Sequence, residues 1–98
     1  MKYFIIEGIL KNQDQMTNNI MKNHMSYTQK AIDNNVILIS GLKSDMSGGL
    51  FIMKASSIEC IYDYLSNEPF KINNIQDYTI TEFSPHYFNE SPNNWFNK

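Results

Sequence analysis

His24 is the residue of this sequence best placed to do chemistry. Met16, Ile20, His24, Tyr27 and Ala31 recur at steps of four, four, three and four. At ~100° per residue they share one arc of a helix, the apolar stripe that faces a sheet. Asn18, Lys22, Gln29 and Asp33 fall on the opposite arc, where solvent belongs. Imidazole has a reference pKa of ~6.5 and can both give and take a proton, and such general acid/base work contributes roughly 10²–10⁴-fold to a rate. On an inward stripe it is either a satisfied core group or a poised acid/base, and the helix alone leaves both readings open.

Few other side chains compete for a chemical role. Ser40 and Lys43 lie near the end of an apolar run, where they can offer a hydroxyl and a positive charge to an anionic substrate; the alternatives are a strand-end polar residue and a solvated lysine. Tyr27 follows His24 by one helical turn and either reaches the same pocket or packs in the core. Glu68, taken alone, reads as a surface acid that ends a helix. His24 and His86 are far apart in sequence, and there is no Cys/His cluster or two-histidine helix motif, so no metal site is expected. Gly48-Gly49 precedes a strand rather than a helix, which makes it a turn and not a phosphate loop.

Composition narrows the classes. A chain of 98 residues with 42% hydrophobic and 13% aromatic residues is expected to fold as one globular domain. The net charge is −2 and all eight basic residues are lysines. With no arginine fork and no basic run, nucleic acid is not an expected partner. Cys60 is the only cysteine, which rules out an intrachain disulfide and fits a reducing cytoplasm. Its place in a helix pattern suggests a small buried filler. No signal-peptide pattern opens the chain, and no apolar run approaches the ~20 residues of a membrane span, so neither export nor a membrane partner is expected.

The elements follow from periodicity. Residues 2–10 are apolar on both faces apart from Glu7 and Gly8, which predicts a central strand. Residues 14–34 form the helix of His24, ended by Asn34-Asn35, which tolerate left-handed backbone. Residues 36–42 and 50–55 are strands, and the turn-rich segment 43–49 between them makes a hairpin. Ser56 and Glu59 have capping-box spacing at the start of a second helix, whose apolar face is Ile58, Ile61, Tyr62 and Leu65. Asn67-Glu68-Pro69 stops it, with the proline pushing Glu68 towards extended backbone. Residues 70–76 read as a loop and 77–83 as a last strand with Tyr78, Ile80 and Glu82 on one side.

The order is βαββαβ, which predicts an α+β, ferredoxin-like fold: a four-stranded antiparallel sheet with two helices on one face. Apolar residues on both sides of the strands call for a cover on the other face, and a second subunit is the simplest one. Residues 86–98 are read as a C-terminal extension to a domain of residues 1–85. The segment from Ser84 onward holds four aromatics without either period. It docks on a partner subunit, closes over a pocket, or is a loosely packed terminus.

Read together, these pieces resemble the YciI-like (YCII-related) family of the dimeric α/β-barrel proteins. The resemblance runs from about residue 1 to residue 85. It lies in the opening strand, His24 within Lys22-Asn23-His24-Met25-Ser26-Tyr27, Gly41 at the close of the second strand, and Gly48-Gly49 before the third. It continues through Ala55-Ser56-Ser57-Ile58-Glu59 and Glu68-Pro69-Phe70. The family implies a homodimer of ferredoxin-like subunits packed sheet to sheet, and a pocket where a helix histidine lies near the aspartate of an Asp-Pro-Phe motif. His24 matches that histidine, and Glu68 stands at the aspartate position with one methylene more. Phe70 then plugs the core beneath the pocket. The chain departs from the family pattern at Gly41-Leu42, where Gly-Pro is frequent, at Lys71-Ile72-Asn73-Asn74, where Ala-Gly is usual after the motif, and in lacking an arginine just before the histidine. Some members resemble accessory enzymes of aromatic-compound breakdown.

The resemblance makes a small cofactor-independent enzyme the first expectation. A His24–Glu68 pair would perform proton transfer, elimination or hydrolysis on a small anionic or cyclic metabolite. The alternative is a non-catalytic ligand-binding or interaction module of the same fold.

Overall fold

The first strand sits inside the sheet because both of its edges are used. In this computed structural model, which describes residues Met1–Phe96, β1 (Lys2–Leu10) pairs antiparallel with β3 (Gly49–Ala55) on one side and β4 (Gln76–Phe83) on the other. β2 (Ile37–Leu42) pairs with β3 as the outer arm of the hairpin, giving the order β2-β3-β1-β4. The remaining elements are α1 (Asn18–Asp33), α2 (Ile58–Ser66), a short α3 (Pro69–Ile72), and α4 (Pro92–Trp95) in the extension expected at 86–98. Asn97 and Lys98 of that extension lie outside the described residues. The chain is thus an α+β, ferredoxin-like fold with four antiparallel strands, as the element order predicts. Among the described residues no helix is long and apolar enough to cross a membrane.

Period-two alternation sorts the strands into two faces. Phe4, Ile6, Phe51 and Met53 point to the helical side and are buried there with Ile61 and Leu65 of α2 and Ala31 of α1. Phe4 and Ile6 are fully buried, which contributes about 2–3 kcal/mol of transfer free energy for each side chain. Their neighbours Tyr3, Ile5, Glu7 and Ile9 point the other way. Ile5 pairs with Ile52, which also pairs with Ile39, so an apolar stripe crosses the outer face. A register shift between Ile37 and Ile39 leaves Leu38 unpaired and exposed.

Several local expectations are corrected. α1 begins at Asn18 rather than at 14: the Thr17 hydroxyl caps it by accepting from Ile20 N at 3.2 Å, and Gln13–Gln15 form a separate 3-10 turn. Met16 is therefore extended and not part of the helix. The capping box does not form, because α2 begins one residue later, with Ser57 as its cap. Both hydroxyls turn instead to Cys60, Ser57 donating to Sγ at 3.4 Å and Ser56 Oγ lying 3.5 Å from it. Cys60 is exposed rather than a buried filler, and Tyr62, expected on the apolar face, is 55% exposed. The 70–76 loop contains α3, whose first residue is Pro69, an allowed proline because the first turn needs no N–H partner. Asn35 does take left-handed backbone, with φ of 61°.

One turn fixes how the hairpin meets β1. Gly48 has φ of 152°, and a Cβ there would strike the Gly8 carbonyl oxygen. Ser47 O accepts from Leu10 N at 2.8 Å in the same approach. We expect Gly48→Ala to lower stability by about 3 kcal/mol, from strained backbone and a contact with no soft side chain to yield. Urea unfolding checks this; an unchanged midpoint would refute the close approach.

Candidate functional site

Glu68 follows the cap of α2 and is itself the acceptor that starts α3. Pro69 holds it at φ −73° and ψ 130°, and its carboxylate caps α3 by accepting from Phe70 N at 3.0 Å. The chain reversal between α2 and α3 turns this side chain inward, where it is only 2% exposed. There Glu68 Oε1 lies 2.5 Å from His24 Nδ1, and Glu68 Oε2 accepts from the Tyr78 hydroxyl at 2.5 Å. With Glu68 as a carboxylate, which can only accept, Nδ1 is the donor of this contact. Nε2 is then the nitrogen left for other partners.

The imidazole is held on a second side by stacking. Its ring lies parallel to that of Phe70, with centroids 3.7 Å apart and planes within 2°. The side chain of His24 remains 26% exposed. The exposed part lines a cavity of about 440 Å³ that also touches Glu68, Phe70, Ser40, Tyr64, Tyr78 and Gln76. Leu10, Met16, Met21, Leu42, Met46 and Phe51 supply apolar wall. This size and this ratio of apolar wall to convergent polar groups suit a small organic ligand. Glu68 also acts on the neighbouring phenols. Tyr78 is held far above the ordinary tyrosine range by burial first and then by the Glu68 charge. Tyr64 is raised by burial, then by Tyr27 and Glu68.

The expected site residues are placed as follows. His24, Glu68, Phe70 and Ser40 meet at the cavity. Phe70 is buried at the cavity wall and stacked on the imidazole. Tyr27 does not line it: its hydroxyl donates to Tyr64 O at 2.6 Å beside a separate, smaller hollow, and burial raises its pKa. Lys43 does not line it either, since its ammonium meets the Glu7 carboxylate at 2.8 Å. Tyr78, Gln76 and Tyr64 were not singled out from sequence as site residues. A signal for the first two was present in Gly8, an isolated glycine in an apolar strand, which marks a close approach: Gly8 pairs with Tyr78, and a Cβ on it would fall on the Gln76 amide.

The family model of the YCII-related domain matches residues 1–84. The chain belongs to the YCII-related domain family. A search of curated proteins finds no significant match. Among solved structures, the chain is similar to 5-chloro-2-hydroxyhydroquinone dehydrochlorinase (TftG) from Burkholderia phenoliruptrix, in complex with 2,5-dihydroxybenzoquinone. The TM-score is 0.71 at 18% identity, over 84% of this chain and 93% of that one. It is also similar to an antibiotic biosynthesis monooxygenase, with a TM-score of 0.57 at 14% identity, over 89% of this chain and 100% of that one. At these identities the likeness establishes the shared fold. In this YCII-related chain the helix histidine and the carboxylate before Pro-Phe are both present and in contact.

Glu68→Ala would leave three donors facing an apolar gap: Phe70 N–H, the Tyr78 hydroxyl and His24 Nδ1–H. We expect a loss of about 3 kcal/mol in stability. A double-mutant cycle with His24→Ala is expected to give a coupling of about 1–3 kcal/mol. Additive losses in chemical denaturation would contradict the contact.

Proposed function

We propose that this protein is a small acid/base enzyme in which His24 Nε2 exchanges a proton with a small cyclic substrate and Glu68 orients and steadies the imidazole. The observation that carries this reading is the 2.5 Å contact between His24 Nδ1 and a buried carboxylate at the wall of a cavity, with no hydrogen-bond partner on Nε2 among the described residues. Such a partner fixes the tautomer and stabilises the imidazolium that forms when Nε2 takes a proton. The proton removed from an acidic O–H, or from a C–H beside a carbonyl, rests on Nε2. It returns to the same molecule at another atom in an isomerisation, or leaves with an expelled anion in an elimination. Hydrolysis uses the same base on water.

The cavity favours a cyclic over an anionic substrate. No lysine or arginine lines it among the described residues, and Lys43 is occupied by Glu7. The name of the dehydrochlorinase, and the dihydroxybenzoquinone bound to it, support a ring-sized substrate and an elimination. Ser40 lines the cavity and is our choice for a hydroxyl contact. The lone cysteine supports a reducing compartment, and we place the protein in the cytoplasm on that ground.

The test is a thermal-shift screen against hydroxylated benzenes, quinones, lactones and small carboxylic acids, followed by turnover assays on each binder. His24→Ala is expected to reduce kcat/KM at least about 10²-fold with the substrate found. Full turnover by that variant would overturn the reading. Binding with no turnover of any binder would favour a non-catalytic module instead.

We also propose a homodimer through the outer sheet face. Tyr3, Ile9, Ile39 and Leu50 are 36–44% exposed there, and Ile5 and Ile52 lie between them. Sedimentation at micromolar concentration is expected to give particles of twice the 11.5 kDa chain mass. Particles of chain mass alone would exclude this interface.

A further inference from the structure

The Tyr78 hydroxyl borders the cavity, yet it is committed twice. It donates to Glu68 Oε2 at 2.5 Å and accepts from Gln76 Nε2 at 2.9 Å. Gln76 is 3% exposed, and its Oε1 accepts from the Gly49 backbone N–H at 3.2 Å. The direction of every bond in this chain is set. The Gly49 N–H fixes which way the amide faces, because a flipped amide would oppose two donors. The amide then donates to the Tyr78 oxygen, which leaves the Tyr78 proton pointing at Glu68. Gly8 completes the arrangement, since any side chain there would fall on the Gln76 amide.

We propose that Tyr78 and Gln76 are positioning residues of the His24–Glu68 pair, linking it to the backbone of β3 and limiting how strongly the carboxylate pulls on the imidazole. The proposal deepens the acid/base reading above and relies on it for its functional meaning. Each hydrogen bond given to a carboxylate favours its charged form and so lowers its pull on any other proton. The Tyr78 proton takes its share at Oε2, so His24 receives less than it would from a free carboxylate. Tyr78 is suited to this because burial and the Glu68 charge keep it protonated well past the ordinary tyrosine range. It gives a hydrogen bond without giving up a proton.

The groups facing His24 are few. Among the described residues they are Glu68 at the start of α3, with Tyr78 on β4 and Tyr64 on α2 lining the same cavity; Tyr27 on α1 is turned to Tyr64 O instead. Glu7 and Lys43 are paired with each other, and Glu7 belongs to the outer face of the sheet. The imidazole therefore answers chiefly to one carboxylate, and that carboxylate answers to Tyr78.

The test is an NMR titration of the histidine ring signals in the full-length protein, with His24 assigned by the signal lost in His24→Ala. Tyr78→Phe removes one oxygen and the donor with it. We expect the His24 titration midpoint to move to higher pH by about half to one unit, a roughly 3- to 10-fold gain in proton affinity. Gln76→Met removes the donor to Tyr78 but keeps the chain length, and is expected to move the midpoint the same way by less. An unmoved or lowered midpoint in folded Tyr78→Phe would overturn the proposal. If that variant does not fold, the sign of the shift in Gln76→Met decides in the same way. A purely structural role would lower the melting temperature and leave the midpoint in place. The titration needs no substrate, so shifted midpoints in a protein that turns over nothing would sink the enzyme reading while this arrangement stood. Once a substrate is found, the acid limb of the kcat/KM profile of Tyr78→Phe is expected to move with the midpoint.

Discussion

A carboxylate taken out of water must be repaid in hydrogen bonds, and much of this molecule is arranged around that requirement at Glu68. Desolvating an ionised group costs several kcal/mol after relaxation, and only close donors offset it. Here they come from three elements: His24 from α1, Phe70 N–H from α3 and Tyr78 from β4. α1 is far from the other two in the chain, and the carboxylate is where all three meet. The site is therefore also a tertiary clamp. The bonds that stabilise the fold here are the same ones that the proposed chemistry would use.

That requirement reaches back to residues that touch nothing reactive. Pro69 matters because it holds Glu68 extended while supplying the first residue of α3, so one carboxylate both caps a helix and faces the cavity. Gly8 matters because Gln76 needs the volume a side chain would fill. Gly48 matters because the turn before β3 approaches the Gly8 carbonyl, which brings Gly49 N–H to Gln76. Each of these is a backbone condition, and together they fix a side-chain network on β4. The network then fixes a carboxylate, and the carboxylate a ring.

Apolar runs bounded by turn-forming residues made the sheet legible, and the spacing of the apolar stripe made α1 legible. That spacing misplaced the start of α1 for an instructive reason. Met16 continues the apolar spacing past Thr17 because it lines the cavity, not because it is helical. Hydrophobic spacing records burial, and only the cap records where the helix begins. The Ser56 to Glu59 spacing misled in the same manner: the motif is present, but α2 starts at Ile58, one residue too late for it. Glu68 by itself read as a surface acid. Nothing local says that Tyr78, ten residues on, and His24, 44 residues back, converge on it. The family pattern pointed there; the residues alone did not. Lys43 read as a charge for an anionic substrate, and its pairing with Glu7 depends on a strand neighbour that local spacing cannot locate.

The site's rigidity is unevenly distributed, and that bears on what it can bind. On one side the imidazole is fixed by a stacked ring and a buried carboxylate, with no polar buried side chain left unpaired among the described residues. The apolar lining includes Met16, Met21 and Met46, side chains with three rotatable bonds and a polarisable sulfur. Met21 and Met46 are also well exposed. A proton transfer needs its donor and acceptor held within a fraction of an ångström, and under the proposed function the network would give Nε2 that definition. The shape of a ring-sized ligand would need no such precision from walls that adapt. On the acid/base reading proposed above, a fixed imidazole beside adaptable walls constrains the type of reaction more than the substrate. Glu68 and what holds it would set the chemistry, and specificity would fall to residues that can change without disturbing the clamp.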